Sequence, residues 1–239
     1  AQLYAHYDNE IICKFNAKAK IVGGNSKHIL KDKFASSLSI KILNGNILHK
    51  SRFRLYTPNS RMEKNELFIT TLFKEMNFLT PLTFFVDTEI NGKKVGKFIF
   101  QETISQSTIS HNKRSKGIVL RMNQRSQFMS AIPNYNKETS SQFNLGMVSN
   151  IDLFSNELKI NALDRINYLI LQNYDRRYLY VDSKNSQLFE ATMFASGADH
   201  GLFREDRRFF YDFLNDTLEP IYYDGKSKIF TDVENIDLR

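Results

Sequence analysis

The segment "ADHGLFREDRRFFYDFLNDTLEPIYYDG", residues 198–225, sets Asp199, His200, Asp206 and Asp224 around two aromatic runs. Carboxylates are hard oxygen donors, and a pair of them suits Mg²⁺ or Mn²⁺ when a phosphate supplies further oxygens. An acid or an imidazole beside such a centre can orient a hydroxyl or take its proton. The competing reading is local neutralisation, with each acid paired to Arg204, Arg207 or Arg208. Surface pairs of that kind are common and contribute little.

Positioning these groups requires a hairpin. "RRFFYDF", the turn "LNDT" and "LEPIYYDG" predict two antiparallel strands, with Asp206 just before the first and Asp224 just after the second. Hairpin connectivity returns those two ends to the same edge. The apolar residues do not alternate strictly, which predicts strands covered on both faces. Upstream, residues 1–63 read as short strands and turns. Leu67, Phe68, Leu72, Phe73 and Met76 predict a helix over 65–78, stopped by Pro81. "LTFFVDTEINGKKVGKFIFQE" predicts a second hairpin, because Asn91-Gly92 favours the positive φ angles of a tight turn. Residues 105–158 are rich in Ser, Asn, Gln and Lys and read as an insertion or connection. Ile160, Leu163, Ile166, Ile170 and Tyr174 form a helical stripe, followed by the strand-like "RYLYV".

With 41% hydrophobic and 25% charged residues in 239, the composition is that of a globular chain able to bury a core, and it excludes disorder. The net charge of +7 fits an anionic partner, whether nucleotide, nucleic acid, acidic protein or membrane surface. Lys and Arg are spread along the chain, and the densest cluster, "HNKRSKG" at 111–117, is expected to be a solvated loop. With no helix-turn-helix or RNP-like pattern, nucleic acid is not expected as the partner. Cys13 is the single cysteine, which excludes an internal disulfide and a cysteine-rich zinc site. No apolar run approaches the roughly 18–20 residues of a membrane span. G-x-G-x-x-G, H-E-x-x-H and G-x-S-x-G are absent, and "GKKVGK" has the wrong spacing for a phosphate loop. The histidines at 6, 28, 49, 111 and 200 are scattered, which argues against a histidine-rich metal centre.

The order of elements (strands, a helix opening with "NELF", a hairpin ending "FIFQE", a helix, an acidic loop, a hairpin and Asp224-Gly225) is that of a protein kinase. Three blocks, "FRLYTPNSRMEKNELFITTLFKEMNFLTP", "FFVDTEINGKKVGKFIFQE" and "HGLFREDRRFFYDFLNDTLEPIYYDG", resemble the spore-coat CotH family of atypical protein kinases. They cover roughly 50–104 and 198–225, with a weaker match in "GGNSKHILKDKFASSLSIKI". The resemblance implies an α+β, two-lobed protein-kinase-like fold, with an antiparallel N-lobe sheet in 1–104 and a partly helical C-lobe in 105–239. It implies ATP with Mg²⁺ or Mn²⁺ as cofactors, and transfer of the γ-phosphoryl group to Ser or Thr of a protein substrate. It implies Asp224 as a metal ligand, Asp206 as a second metal ligand, and Asp199 as the group orienting the substrate hydroxyl, with His200 as its competitor. Glu66 would pair a phosphate-binding cation, Arg54 in preference to Lys41, while Arg61 is the non-chemical alternative partner. The backbone of 102–104, beginning at Glu102, would meet adenine, and "GGNS" at 23–26 could cradle phosphate. The family points to a cell surface, spore coat or secreted setting. The alternative function is a catalytically degenerate binding or structural module of such a surface.

Overall fold

Strand-forming residues dominate the first hundred positions, and in this computed structural model they build antiparallel sheet. The structure describes residues 1–7, 12–23, 28–30, 35–122, 145–148, 155–172, 178, 180–181, 183–204 and 206–230. In chain order the first strands are β1 (Gln2–His6), β2 (Ile12–Ile21), β3 (Ile29–Leu30), β4 (Ala35–Ser36), β5 (Leu38–Ile42) and β6 (Arg52–Tyr56). Helix α1 (Lys64–Glu75) follows, then β7 (Thr83–Ile90), β8 (Lys93–Glu102) and α2 (Gln106–His111). The chain continues through β9 (Ile118–Met122), β10 (Leu145–Val148), α3 (Asn156–Gln172), α4 (Lys184–Ala195), β11 (Arg208–Asp212) and β12 (Thr217–Ile221). Mixed helix and antiparallel sheet makes this an α+β chain. Two compact units divide it, Ala1–Glu63 with Pro81–Thr103, and Lys64–Thr80 with Ile104–Arg239. The segment Lys64–Thr80, which lies inside the 1–104 span expected as one lobe, thus groups with the second unit.

The first unit carries a six-stranded antiparallel sheet in the order β1-β2-β5-β6-β8-β7 and a small β3-β4 pair. One face is apolar: Ala17, Ile40, Ile42, Phe53, Leu55, Phe98 and Phe100 form its core. Phe100 stacks between Phe53 and Phe84, with ring centroids 4.5 and 4.6 Å apart. The β7-β8 turn places Asn91 at φ 52 and Gly92 at φ 77, the pair of positive angles that the Asn-Gly signal demands.

In the second unit a four-stranded sheet runs β10-β9-β11-β12. β11 lies between β9 and β12, and Phe209, Phe210 and Tyr211 are all buried, as the lack of alternation predicts. β9 arises inside the polar stretch read as a connection. Its Ile118 and Leu120 pack with Ala162, Ile166 and Leu169 of α3, and burial of this short apolar run overrides its polar flanks. A second apolar cluster joins Ile69 and Phe73 of α1 to Phe189 and Met193 of α4 and to Tyr222. Helix α1 closes on Asn77 at φ 63, with the Phe78 N–H donating to the Phe73 carbonyl at 2.9 Å, a left-handed C-terminal stop. Ser105 and Ser183 cap the N-termini of α2 and α4.

The "HNKRSKG" segment is only partly the solvated loop expected. Lys113 and Lys116 are exposed. Arg114 instead donates to both Glu219 oxygens, at 2.9 and 2.6 Å, and to the Asn77 carbonyl at 2.8 Å. Its hydrogen bond to Glu219 leads the causes that raise its already high pKa. The "RYLYV" strand falls largely outside the described residues, Tyr178 being in an isolated bridge to Phe203. Among the described residues no helix is long and apolar enough to cross a membrane.

Candidate functional site

The β11-β12 register, with Arg208 opposite Ile221, brings residues 206 and 224 to the same end of the hairpin. A short 3-10 turn, Asp199–Leu202, meets them there. His200 is the centre of this cluster. Its Nδ1 lies 3.1 Å from the Asp224 carbonyl oxygen and 3.4 Å from the Asp206 carboxylate, while Nε2 contacts Lys226 Nζ. Nδ1 faces two acceptors and therefore donates, and Nε2 faces an ammonium and therefore accepts. Asp199 Oδ2 accepts from the Tyr178 hydroxyl at 3.2 Å, and the Tyr178 ring stacks on Phe203 with centroids 5.2 Å apart.

The two loops are locked by glycines. A Cβ at Gly201 would stand 2.6 Å from the Tyr223 carbonyl oxygen and 2.7 Å from Met193 Cε. One at Gly225 would stand 2.8 Å from both Ala198 Cβ and the Tyr222 hydroxyl oxygen. Asp224 and Lys226, on either side of Gly225, hold φ of 46 and 53, a conformation unusual for residues with a side chain and concentrated at functional sites. Ser227, fully buried, donates to the Ser196 carbonyl at 2.7 Å and ties the loop to the end of α4. Gly201→Ala is therefore expected to cost about 1–3 kcal/mol, because a backbone oxygen must move to admit the methyl. The shift of the urea midpoint measures it, and an unchanged midpoint would show the loops to be looser than this packing.

Glu66 is fully buried in α1 and accepts from the Tyr222 hydroxyl at 2.7 Å. It is thereby connected, through Tyr222, to the loop that carries Asp224. Arg207 is not neutralised by an acid of its own segment: its guanidinium donates to Glu190 of α4 at 2.5 Å, inside the second unit. Arg208 lies over the Tyr223 ring, 4.4 Å from its centroid.

The remaining expected site residues belong to the first unit. Lys41 is exposed on β5, and Arg54 on β6 donates to the Tyr56 hydroxyl at 2.7 Å. Arg61 is buried, donates to the same hydroxyl at 2.6 Å and lies over the Tyr56 ring. The Glu102 side chain forms a buried ion pair with Lys50, and its Oε1 accepts the Leu82 N–H at 3.1 Å. Backbone N–H groups of Glu102 and Thr103 donate to the Leu82 and Arg52 carbonyls at 3.0 and 3.2 Å, so the sheet already uses both donors. Of "GGNS", only Gly23 is described, and the rest lies outside the described residues.

Sequence reasoning missed Lys50, Tyr178, Lys226 and Tyr222 as members of these networks. Lys226 follows Asp224 by two positions and could have been found as the cation nearest a candidate metal ligand. Among the described residues no group of three or more His, Cys, Asp or Glu is arranged to hold a metal. The cluster at the hairpin end offers carboxylates, an imidazole, an ammonium and a constrained glycine loop. That set can hold a phosphate-bearing ligand and orient a hydroxyl. No protein-family model matches the chain, and no curated protein sequence matches it.

Proposed function

We propose that the chain is an atypical, CotH-like protein kinase with a two-lobed kinase-like fold, which binds ATP with Mg²⁺ or Mn²⁺ and phosphorylates Ser or Thr of a protein. The observation that carries this reading is the meeting of His200 with both Asp206 and the Asp224 backbone at one end of the β11-β12 hairpin. Asp206 and Asp224 are the residues to hold the metal, as hard carboxylate donors that leave further coordination to phosphate and water. When bound, the ion supplies charge neutralisation of the phosphate oxygens. Asp199, whose carboxylate accepts from Tyr178, would orient the substrate hydroxyl, and His200 competes for that role only when Lys226 leaves its Nε2. Lys226 brings positive charge beside Asp224, where it suits a phosphate. In the first unit, Arg54 is the preferred candidate phosphate cation.

The test is thermal unfolding of the whole chain with ATP and Mn²⁺. Nucleotide at about a hundred times its dissociation constant should stabilise the fold by about 2.7 kcal/mol. Asp224→Asn should abolish that shift and transfer of radiolabelled phosphate to a generic protein substrate. Absence of any shift with nucleotide and metal would sink the proposal. A shift without transfer would favour the degenerate, binding-only module.

A further inference from the structure

Over β2, β5 and the start of β6 the exposed face of the first unit's sheet carries a run of cations. Strand register places side chains directly opposite one another on a common face. Lys18 pairs across to Lys41, and Lys41 pairs across to Arg52, giving a row of cations over β2, β5 and β6. The neighbouring row runs Lys20, Ser39, Arg54. Lys14, further along β2, lies over the Tyr4 ring at 5.7 Å. Lys14, Lys18, Lys20, Lys41 and Arg52 are all exposed. No described residue at these register positions is acidic.

Elsewhere in the same sheet the chain does the opposite. On the β7-β8 hairpin Asp87 stands opposite Lys97, Glu89 opposite Lys94 and Lys93 opposite Ile90, so no cation meets another across the strands. Like charges directly opposite destabilise a sheet. Two successive like-charge oppositions on one face, beside a hairpin that avoids them, mark a surface shaped by an external anion.

We propose that this face docks on an anionic phospholipid surface. Its cations form a two-dimensional array over three strands, not a groove. Ile12 and Leu43 lie on the same face and are 58% and 54% exposed, giving apolar groups able to enter the headgroup layer. Lysine predominates, which suits long stems reaching a lipid headgroup plane and is poor in protein interfaces. A single-stranded nucleic acid needs a series of aromatic platforms, whereas this face offers Tyr4, whose ring Lys14 already covers.

The test is co-sedimentation of the whole chain with phosphatidylcholine vesicles containing phosphatidylserine. Lys18→Gln/Lys41→Gln/Arg52→Gln should weaken partitioning about 100-fold, at roughly fivefold per cation removed. Lys93→Gln/Lys94→Gln/Lys97→Gln carries the same change in net charge on the hairpin and should weaken it by less than about fivefold. Neutralising Lys41 relieves two like-charge oppositions, so the first variant should unfold at the same temperature as wild type or above, and loss of binding then reports the face itself. The proposal is overturned if the vesicles do not bind wild type, if both triple variants weaken binding equally, or if only an oligonucleotide or an acidic peptide binds. It does not depend on phosphotransfer, so an inactive protein that binds the vesicles still supports it.

Discussion

Glu190→Gln is expected to lower the unfolding free energy by about 3–5 kcal/mol, the cost of leaving a buried charge without its counter-ion. Arg207 is 1% exposed and Glu190 7%, and their side chains meet at 2.5 Å. The Phe189 and Phe209 rings lie 5.1 Å from the guanidinium carbon, an apolar setting in which an unpaired charge is costly. Burial pushes Arg207 down to about 10, which keeps it charged at neutral pH. The same desolvation raises Glu190, against the opposing pull of Arg207. Replacing both partners, as Glu190→Leu with Arg207→Met, should recover most of the loss, because two desolvation costs disappear together. Urea unfolding of the two single variants and the pair measures this. A double variant as unstable as the single would show that the pair contributes through packing alone.

Lys50→Met should be about as damaging, about 3–5 kcal/mol, because it strands the Glu102 carboxylate inside the first unit. Lys50 is 4% exposed, and the Glu102 side chain is fully enclosed. Among the described residues, the Leu82 N–H would then be the donor facing the charge. Thermal unfolding of Lys50→Met and of Lys50→Met/Glu102→Leu decides it. Partial recovery in the double variant is expected, since Leu82 loses its acceptor in the same change. If Lys50→Met unfolds with wild type, the ion pair does not contribute to stability.

Local signals carried much of the architecture. The Asn91-Gly92 turn was legible because few residues tolerate its two positive φ angles, and α1 because its apolar spacing repeats without interruption. The β11-β12 hairpin, and with it the shared end of Asp206 and Asp224, followed from a turn between two aromatic runs. β9 was not legible, because its short run is diluted by Ser and Lys on both sides and acquires its strand from β11. α4 was missed for a related reason, since "KNSQLFEATMFA" mixes polar residues with its buried Phe189 and Met193. The ion pairs were beyond sequence reading altogether. Lys50 and Glu102 are strangers along the chain, and nothing in either neighbourhood names the other. The resemblance supplied roles for Asp199, His200, Asp206 and Asp224, and the fold adds the contacts by which Tyr178 and Lys226 hold two of them.

The Tyr222 hydroxyl bonds a carboxylate 156 residues earlier in the chain, on a helix whose continuation departs for another unit before returning. During synthesis at about 5–20 residues per second, that helix waits roughly 8–30 seconds for its partner to be made. Until then Ile69 and Phe73 have no Tyr222 to pack against, and their apolar face is open to chaperones or to aggregation. Completion of the second unit thus waits on the segment after β12 that carries Tyr222 and Asp224.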